Sequence, residues 1–176
     1  LAPRTHRARP VGRVTGRSRD RSTVGAMATS RDRPYVQFNF LVDLGTGDTD
    51  GPDAGFQEVT GLESSVDVIE YRNGNSKENA PIKLVGLNRV TDVTLRRGLL
   101  GSLSLYRWFD DVRNGGPNAM RTVTITLQNE DRTAGVMTWK LLRARPVKHI
   151  SGPLNAQGTD VAIEELVLAY ERLELE

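Results

Sequence analysis

Apolar and polar residues alternate along much of the chain, and a period of two is typical of β-strands with one face buried. In residues 35–44, the side chains of Gln37, Asn39 and Asp43 share one face. The opposite face of this stretch is apolar throughout and consists of Val36, Phe38, Phe40, Val42 and Leu44. We therefore predict a strand over this stretch that packs its apolar face onto a core.

The second half of the chain repeats this pattern, with turn signals between the alternating stretches. Residues 121–129 alternate strictly, and Glu130–Thr133 predicts a tight turn into a second strand over 136–145. Residues 146–158 are punctuated by Pro and Gly, which predicts a connector, and alternation resumes over 163–175. These stretches predict a hairpin followed by a further strand.

The stretch Phe56–Asn75 departs from simple alternation, because apolar residues lie on both faces of its second half. Val66 and Val68 share one face of the predicted strand, whereas Ile69 and Tyr71 share the other. A strand that is apolar on both faces needs cover on both, and another subunit can supply the cover that its own domain lacks. The candidate self-assembly residues are Phe56, Val59, Val66, Val68, Ile69 and Tyr71.

Turn signals divide this region into further strands. Gly61–Glu63 separates the two apolar runs and predicts an opening hairpin, and Asn73-Gly74 is a second strong turn signal. After a polar connection, residues 81–87 and 90–98 each predict a strand. We expect about seven strands in the whole chain, without a tandem repeat.

One amphipathic helix is predicted over Ser102–Arg113. Its apolar residues recur at intervals of three and four, so they form one stripe that faces the core. The residues of this core stripe are Leu105, Trp108, Phe109 and Val112. Asn114–Pro117 supplies the glycine stop and the proline that end such a helix. Asp110 and Asp111 point about 100° apart on a helix, which favours a solvated face over paired catalytic carboxylates.

Composition agrees with a turn-rich β protein. The 176 residues include 17 Gly and no Cys, and they are enough for a single core. Without Cys the chain forms neither a disulfide nor a thiolate metal site. No apolar run reaches the ~20 residues of a membrane helix. We expect one mainly β domain over residues 27–176, with no membrane segment.

Positive charge is concentrated at the start of the sequence. Residues 1–26 contain seven Arg and one Asp, a balance of +6, whereas residues 27–176 carry 17 basic and 21 acidic residues, a balance of −4. This leader has no large apolar cluster, so we expect it to be disordered. It is interpreted either as an arm that binds nucleic acid or, as we favour, as sequence upstream of a true start at Met27. In the folded body, Arg96-Arg97 and Arg143–Arg145 are candidates for a basic patch.

The sequence offers little for catalysis or for binding a cofactor. Its two histidines are His6 and His149, and no nucleophile elbow, phosphate loop or dinucleotide fingerprint is present. The loop with Asp48, Asp50 and Asp53 lacks the bidentate Glu of a calcium loop, so a solvated loop is favoured over a metal site. We predict that the protein is not an enzyme and has no catalytic, metal or cofactor site.

Several motifs of the folded body resemble those of one known family. They are FQEVTGL at 56–62, VIEYRNG at 68–74, KLVGL at 83–87, VTLRRG at 93–98, LYRWFDDV at 105–112 and PVKHISGPLNAQGTDVAIEELVLAYE at 146–171. In this order they are similar to motifs of the tail tube proteins of contractile bacteriophages, whose relatives include inner tube proteins of extracellular contractile injection systems. The resemblance covers the chain from Tyr35 to its end and does not include the leader.

This resemblance implies a small antiparallel β-barrel of two packed sheets with one flanking α-helix. It also implies homohexameric rings that self-assemble into a hollow tube inside a contractile sheath, with Phe56–Asn75 in the tube-forming surface. The implied partners are further copies of the chain, sheath protein, baseplate and terminator proteins, and luminal cargo or a tape-measure protein. Such a phage tail-like particle is expected to assemble in the bacterial cytoplasm, with extracellular release as a later step.

Three functional hypotheses follow. The favoured one is a structural subunit of the inner tube of a contractile injection system, a conduit that sheath contraction propels. The first alternative is a phage tail tube, which differs in its cargo, DNA instead of a protein toxin. The second alternative is a nucleic-acid-binding module that uses the Arg-rich leader, and deletion of residues 1–26 distinguishes it from the other two.

Overall fold

A computed structural model describes residues 32–116 and 119–176, so the leader and Met27 lie outside the described residues. Within these ranges the chain forms nine β-strands, one α-helix and one 3-10 turn. The elements are β1 Phe40–Asp43, the 3-10 turn Pro52–Ala54, β2 Glu58–Thr60, β3 Ser64–Tyr71, β4 Ile82–Val90, β5 Val93–Gly98, α1 Ser104–Arg113, β6 Arg121–Gln128, β7 Gly135–Ser151, β8 Ile163–Ala169 and β9 Arg172–Leu175. The prediction of a mainly β fold with one helix is confirmed.

Seven of the strands are hydrogen-bonded in one antiparallel path, in the order β1-β6-β7-β8-β5-β2, with β9 paired to β7. Strand β7 takes part in two sheets, since its residues 135–144 pair with β6 and its residues 145–151 pair with β8. The path therefore forms the two sheets that the resemblance implied, and we call them the sandwich. β1 and β2 are the two ends of the path, and no pairing between them closes it in the described residues.

The core lies between the two sheets, because alternate side chains of their strands are directed inward. Its buried apolar members are Val42, Leu44, Val93, Leu95, Leu105, Trp108, Val123, Ile125, Leu141, Ala144, Leu166, Leu168 and Tyr170. Complete burial of one Val or Leu side chain contributes about 1.5–3 kcal/mol, so these positions supply a large share of the stabilising free energy. The predicted period of two is confirmed on β5 and β8.

Helix α1 lies against β7 and starts two residues later than predicted. Of its apolar stripe, Leu105 and Trp108 are buried, whereas Phe109 and Val112 are half-buried. Gly115 has a φ of +75° and ends the helix in the left-handed conformation that the sequence predicted. Neither α1 nor any other helix within the described ranges has the length and apolar character needed to cross a membrane.

The first strand is shorter than predicted, because β1 begins only at Phe40. Phe38 is 69% exposed, whereas the polar Asn39 is buried. The side-chain amide of Asn39 donates hydrogen bonds to the carbonyls of Asn129 and Glu130 at 3.1 and 3.3 Å. These bonds to the β6–β7 turn compensate for the burial of the amide, and they replace the alternation predicted for this part of the chain.

The predicted connector at 146–158 is in part a strand, since β7 continues to Ser151. Pro146 has no N–H to donate, and a proline inside a sheet is normally confined to edges or bulges. Here it lies beside a register shift between Pro146 and Lys148 in the β7–β8 pairing, and nearby Arg143 has a φ of +55°. This irregularity accommodates the proline where β7 passes from one sheet to the other.

Two strand assignments near β2 and β8 also differ from the prediction. The opening hairpin around Gly61–Glu63 does not form, because β2 pairs with β5 and β3 pairs with β4. Gly61 has a φ of +89°, and a Cβ atom there would lie 2.3 Å from the carbonyl oxygen of Asp92, so the chain packs tightly against the start of β5. The alternation over 163–175 is divided between β8 and β9.

Candidate assembly surface

The second half of the predicted assembly stretch forms β3, one strand of the β3–β4 hairpin. This hairpin makes its main contacts between its own two strands. In the described residues this hairpin is a separate two-stranded sheet. A register shift between Val66 and Val68 brings Gly86 against Asp67. A Cβ atom on Gly86 would lie 2.8 Å from the carbonyl oxygen of Asp67, so glycine suits the close approach of the two strands.

The connection between β3 and β4 contains the predicted Asn-Gly turn, but neither Asn73 nor Gly74 has a positive φ. The backbone N–H of Ser76 donates to the carbonyl of Asn73 at 3.1 Å. Arg72 donates from Nε to the carbonyl of Glu78 and from Nη2 to that of Ser76, both at 3.1 Å. The turn is therefore part of a longer connection that the Arg72 side chain holds together, and not a tight two-residue turn.

One face of the β3–β4 hairpin is an uncovered apolar surface. In the pairing register Ile69 lies opposite Leu84, and Tyr71 lies opposite Ile82, so the four side chains lie on the same face. Each of them is between 49% and 58% exposed. We call Ile69, Tyr71, Ile82 and Leu84 the hairpin's apolar face.

The opposite face of the hairpin is also partly apolar. Val68 lies opposite Val85, and the two are 60% and 84% exposed. An ion pair joins Arg89 Nε to Asp67 Oδ2 at 2.7 Å, but both side chains are solvent-exposed, and such pairs stabilise by ~0–1 kcal/mol. Backbone pairing and the connection, not a core of its own, therefore hold the hairpin together.

Two candidate self-assembly residues lie away from the hairpin. Val59 is in β2 opposite Leu95, and the ring centroid of Phe56 is 5.9 Å from the guanidinium carbon of Arg97. Phe56 and Val59 are both partly buried against the core. The structure thus brings Val66, Val68, Ile69 and Tyr71 together on β3 and places Phe56 and Val59 in the sandwich.

Sequence reasoning missed a groove that lies beside the two ends of the strand path. We call it the β1–β2 groove, and its volume is about 570 Å³. Its lining residues are Tyr35, Gln37, Phe38, Phe40, Gln57, Glu58, Val59, Thr60, Leu62, Ile125, Leu127 and Trp139. No local pattern could have revealed it, because its walls and floor come from strands that are distant in the sequence.

A buried charged cluster removes Arg97 from the candidate basic patch, whereas Arg143 and Arg145 are exposed. Arg97 is fully buried and donates from Nε to Glu164 Oε1 at 2.6 Å and from Nη1 to the carbonyl of Asp53 at 2.8 Å. His149 Nε2 lies 3.4 Å from the other carboxylate oxygen of Glu164. The half-buried neighbour Arg96 pairs with Glu58 at 2.8 Å. Arg97 therefore ties β5, β8 and the 3-10 turn together, and it contributes no charge to the surface.

The acidic loop is held by local hydrogen bonds. Asp48 Oδ1 accepts from the backbone N–H groups of Asp50 and Gly51 at 3.2 and 2.8 Å. A hydrogen bond from the Ser102 hydroxyl lowers the pKa of the Asp53 carboxyl, and it does so against the opposing effect of burial. Across the part of the chain that the structure describes, no three His, Cys, Asp or Glu side chains are grouped as metal ligands.

Known proteins match this chain in sequence and in fold. The sequence model of the family described as T4-like virus tail tube protein gp19 matches residues 36–174, which include the β3–β4 hairpin and all of the sandwich except Leu175. No curated protein matches the chain.

Solved structures with 28–30% identity contain chains of the same fold. One is a chain in the PVC sheath–tube complex of an extracellular contractile injection system in its extended state: 29% identity, TM-score 0.72, 82% of this chain and 93% of that chain covered. A chain in the PVC sheath/tube terminator is 30% identical, with a TM-score of 0.71 over 84% of this chain and 99% of its own. A chain in the six-fold symmetrised baseplate of the anti-feeding prophage is 28% identical, with a TM-score of 0.70 over 83% and 97%.

Proposed function

The chain belongs to the T4-like virus tail tube protein gp19 family, and from that premise we propose that it is the structural subunit of the inner tube of a contractile injection system. Six copies form a ring, rings stack into a hollow conduit, and contraction of a surrounding sheath propels that conduit outward. In this role the subunit has no catalytic function and needs neither a metal nor a cofactor.

The observation that carries this proposal is the β3–β4 hairpin. Its apolar side chains are each at least 49% exposed, namely Val66, Val68, Ile69, Tyr71, Ile82, Leu84, Val85 and Leu87. Soluble monomers rarely leave so large an apolar surface in contact with water, and such surfaces mark sites of association. A subunit that is buried on several sides by its neighbours has a reason to keep this surface.

The similar chains support the choice of partners and of apparatus. They occur in a sheath–tube complex, a sheath/tube terminator and a baseplate. We propose that this chain likewise contacts further copies of itself, sheath protein, and baseplate and terminator proteins, with luminal cargo inside the tube. The gp19 family match supports the alternative of a phage tail tube, which carries DNA. In both cases assembly takes place in the bacterial cytoplasm, and release from the cell follows for an injection system.

Electron microscopy and sedimentation of the purified full chain test this proposal. We expect rings with six-fold symmetry and stacked tubes. A chain that starts at Met27 should assemble equally well, since the assembly surface lies in the folded body. Val85→Asp places a charge on a side chain that is 84% exposed, so it should abolish rings and leave the monomer folded. A full chain that stays monomeric at every concentration, or that binds DNA only when residues 1–26 are present, contradicts the proposal.

A further inference from the structure

We propose that the β1–β2 groove is the acceptor site for the β3–β4 hairpin of the neighbouring subunit, with the hairpin's apolar face directed into the groove. This inference rests on the proposed function, since it assumes that copies of the chain meet in a ring. It adds the surface that the hairpin contacts, and it commits to a second copy of this chain as the occupant.

The groove has the chemistry of a site for an extended apolar segment. Its lining includes the apolar residues Ile125, Leu127 and Trp139, and the lining residue Phe38 is 69% exposed. Its only charged lining residue within the described ranges is Glu58, which is neutralised by Arg96 at 2.8 Å. An occupant therefore needs apolar side chains and no net charge.

The walls of the groove also have open strand edges. Among the described residues β1 pairs only with β6, and β2 pairs only with β5, so each strand has one edge without a partner strand. Open edges of this kind are templates for an additional strand. A β-strand or hairpin matches this requirement better than a helix does.

The β3–β4 hairpin meets both requirements. Ile69, Tyr71, Ile82 and Leu84 are uncharged, lie on one face and are about half exposed, and the strands that carry them are extended. Nothing in the sandwich of the same chain covers them to any large extent. Hairpin and groove thus present two uncovered apolar surfaces of different shape on one subunit.

Closed rings need such a pair of unlike surfaces. A head-to-tail contact joins one patch to a different patch on the next copy, whereas a contact between two hairpins is isologous and stops at a dimer. If each subunit inserts its hairpin into the groove of the next, every hairpin and every groove in the ring is covered. Only Gly61–Glu63 lies between β2 and β3. Strand β2, which lines the groove that receives the hairpin of one neighbour, is therefore followed directly by β3, which contacts the neighbour on the other side.

Disulfide cross-linking tests this contact in a chain that has no Cys of its own. The double variant Phe38→Cys/Leu84→Cys should give, under mild oxidation, a ladder of covalent multimers that ends at the ring. Either single variant should not give that ladder. The matched control is Leu100→Cys/Leu84→Cys, since Leu100 is 55% exposed and lies outside the groove. A ladder of equal yield from the control pair, or none from the Phe38 pair, overturns the proposal.

Mixing two defective variants gives an independent readout. Phe38→Asp blocks the groove but leaves the hairpin intact, and Leu84→Asp does the reverse. Both side chains are exposed, so circular dichroism should show a folded protein in each case. Each variant alone should be monomeric by light scattering, and a 1:1 mixture should give a heterodimer that grows no further. A mixture that stays monomeric, or Phe38→Asp protein that forms rings, contradicts the groove as acceptor.

These outcomes separate the inference from the proposed function. If the unmodified chain forms six-fold rings but both groove tests fail, the hairpin contacts another surface of its neighbour, and the ring function stands. If the unmodified chain forms no rings at all, the proposed function itself fails.

Discussion

The sandwich and the β3–β4 hairpin are both built from strands rich in Val, Leu and Ile, yet they differ in where their apolar groups end up. In β5, Val93 and Leu95 are completely buried and polar residues fill the positions between them. In β3, apolar residues occupy consecutive positions, and Val68 and Ile69 are 60% and 53% exposed. Apolar residues on one face fit a core on that side of the strand. Apolar residues on both faces require cover on both, and the sandwich of this chain does not supply it to β3.

The same two regions differ in how they use charge. The Arg97–Glu164 pair of the sandwich and the Arg89–Asp67 pair of the hairpin have similar lengths, 2.6 and 2.7 Å. The first pair is fully shielded from water, and the second is exposed. Removal of one partner from a buried pair leaves an uncompensated charge, while an exposed pair loses only a screened attraction. Burial, not distance, therefore determines how much stability is lost when one partner of each pair is removed.

A large loss of stability is expected from Trp108→Ala. The indole is buried in the core, and its Nε1 donates to the carbonyl of Ala119 at 2.7 Å. Truncation leaves a cavity and an unsatisfied carbonyl, so the free energy of unfolding in denaturant should fall by about 3–5 kcal/mol. The matched control is Asp110→Ala on the solvent side of the same helix, which should change it by less than ~0.5 kcal/mol. Equal effects of the two variants would mean that the helix face is assigned wrongly.

Arg97→Met tests the buried pair of the sandwich. Glu164 would keep its negative charge in the interior without Arg97, which should cost about 3–5 kcal/mol of unfolding free energy. Adding Glu164→Gln removes that charge, so the double variant should be more stable than Arg97→Met alone. In the hairpin, Arg89→Met should cost at most ~1 kcal/mol. If Arg97→Met lowers the free energy of unfolding no more than Arg89→Met does, this contrast is refuted.

Val68→Pro tests the hairpin side of the comparison. Proline removes a backbone donor and disturbs pairing within β3, and β3 contacts the sandwich little. We expect the unfolding free energy of the sandwich to change by less than ~1 kcal/mol while rings and tubes disappear in electron microscopy and sedimentation. Val68→Thr, which keeps a β-branched side chain and the backbone donor, is the control. Normal tubes from Val68→Pro would remove this strand from the subunit contact, and an insoluble chain would make the hairpin part of the folding core.

The smallest predicted effect is a pH-dependent loss of stability in Asp53→Asn. The Ser102 hydroxyl, aided by Ser104 and Arg97, holds the pKa of the Asp53 carboxyl below its ordinary value of 3.8. Because the folded pKa is depressed, the ionised carboxylate stabilises the fold above pH 3.8, and this contribution is lost as the pH falls through the lowered pKa. Unfolding measured at several pH values should show Asp53→Asn less stable at neutral pH, with the difference narrowing on acidification. A constant difference would mean that the charge of Asp53 plays no part.

Much of the sandwich could be predicted from the sequence, because alternation reports directly which face of a strand is buried. β5, β8 and helix α1 were predictable in this way, and so was the placement of Ile69 and Tyr71 on the face of β3 opposite Val68. The alternation did not show that both faces of β3 are exposed. Alternation does not report which strand pairs with which. For that reason the predicted opening hairpin around Gly61–Glu63 was wrong, and the β1–β2 groove, made by strands far apart in the chain, could not be anticipated.

The remaining errors concern two residues whose unfavourable placement is compensated by partners elsewhere in the chain. Because Asn39 is polar, the alternation predicts that its side chain faces solvent. Two hydrogen bonds to the β6–β7 turn instead compensate for its burial. Pro146 predicts the end of a strand, but a register shift in the β7–β8 pairing accommodates it within β7. In both cases the deciding partner lies elsewhere in the chain, so the residue type alone gives the wrong answer.

The unbroken course of β7 through both sheets has a mechanical consequence. Sliding one sheet past the other must stretch or bend the backbone near Pro146, whose ring fixes φ, so the load falls on peptide bonds as well as on side-chain packing. When force is applied along the axis of a tube of such subunits, the covalent chain transmits it within each subunit. Between subunits, only noncovalent contacts transmit it. As the force increases, we therefore expect the contacts between subunits to break before the two sheets of one subunit slide past each other.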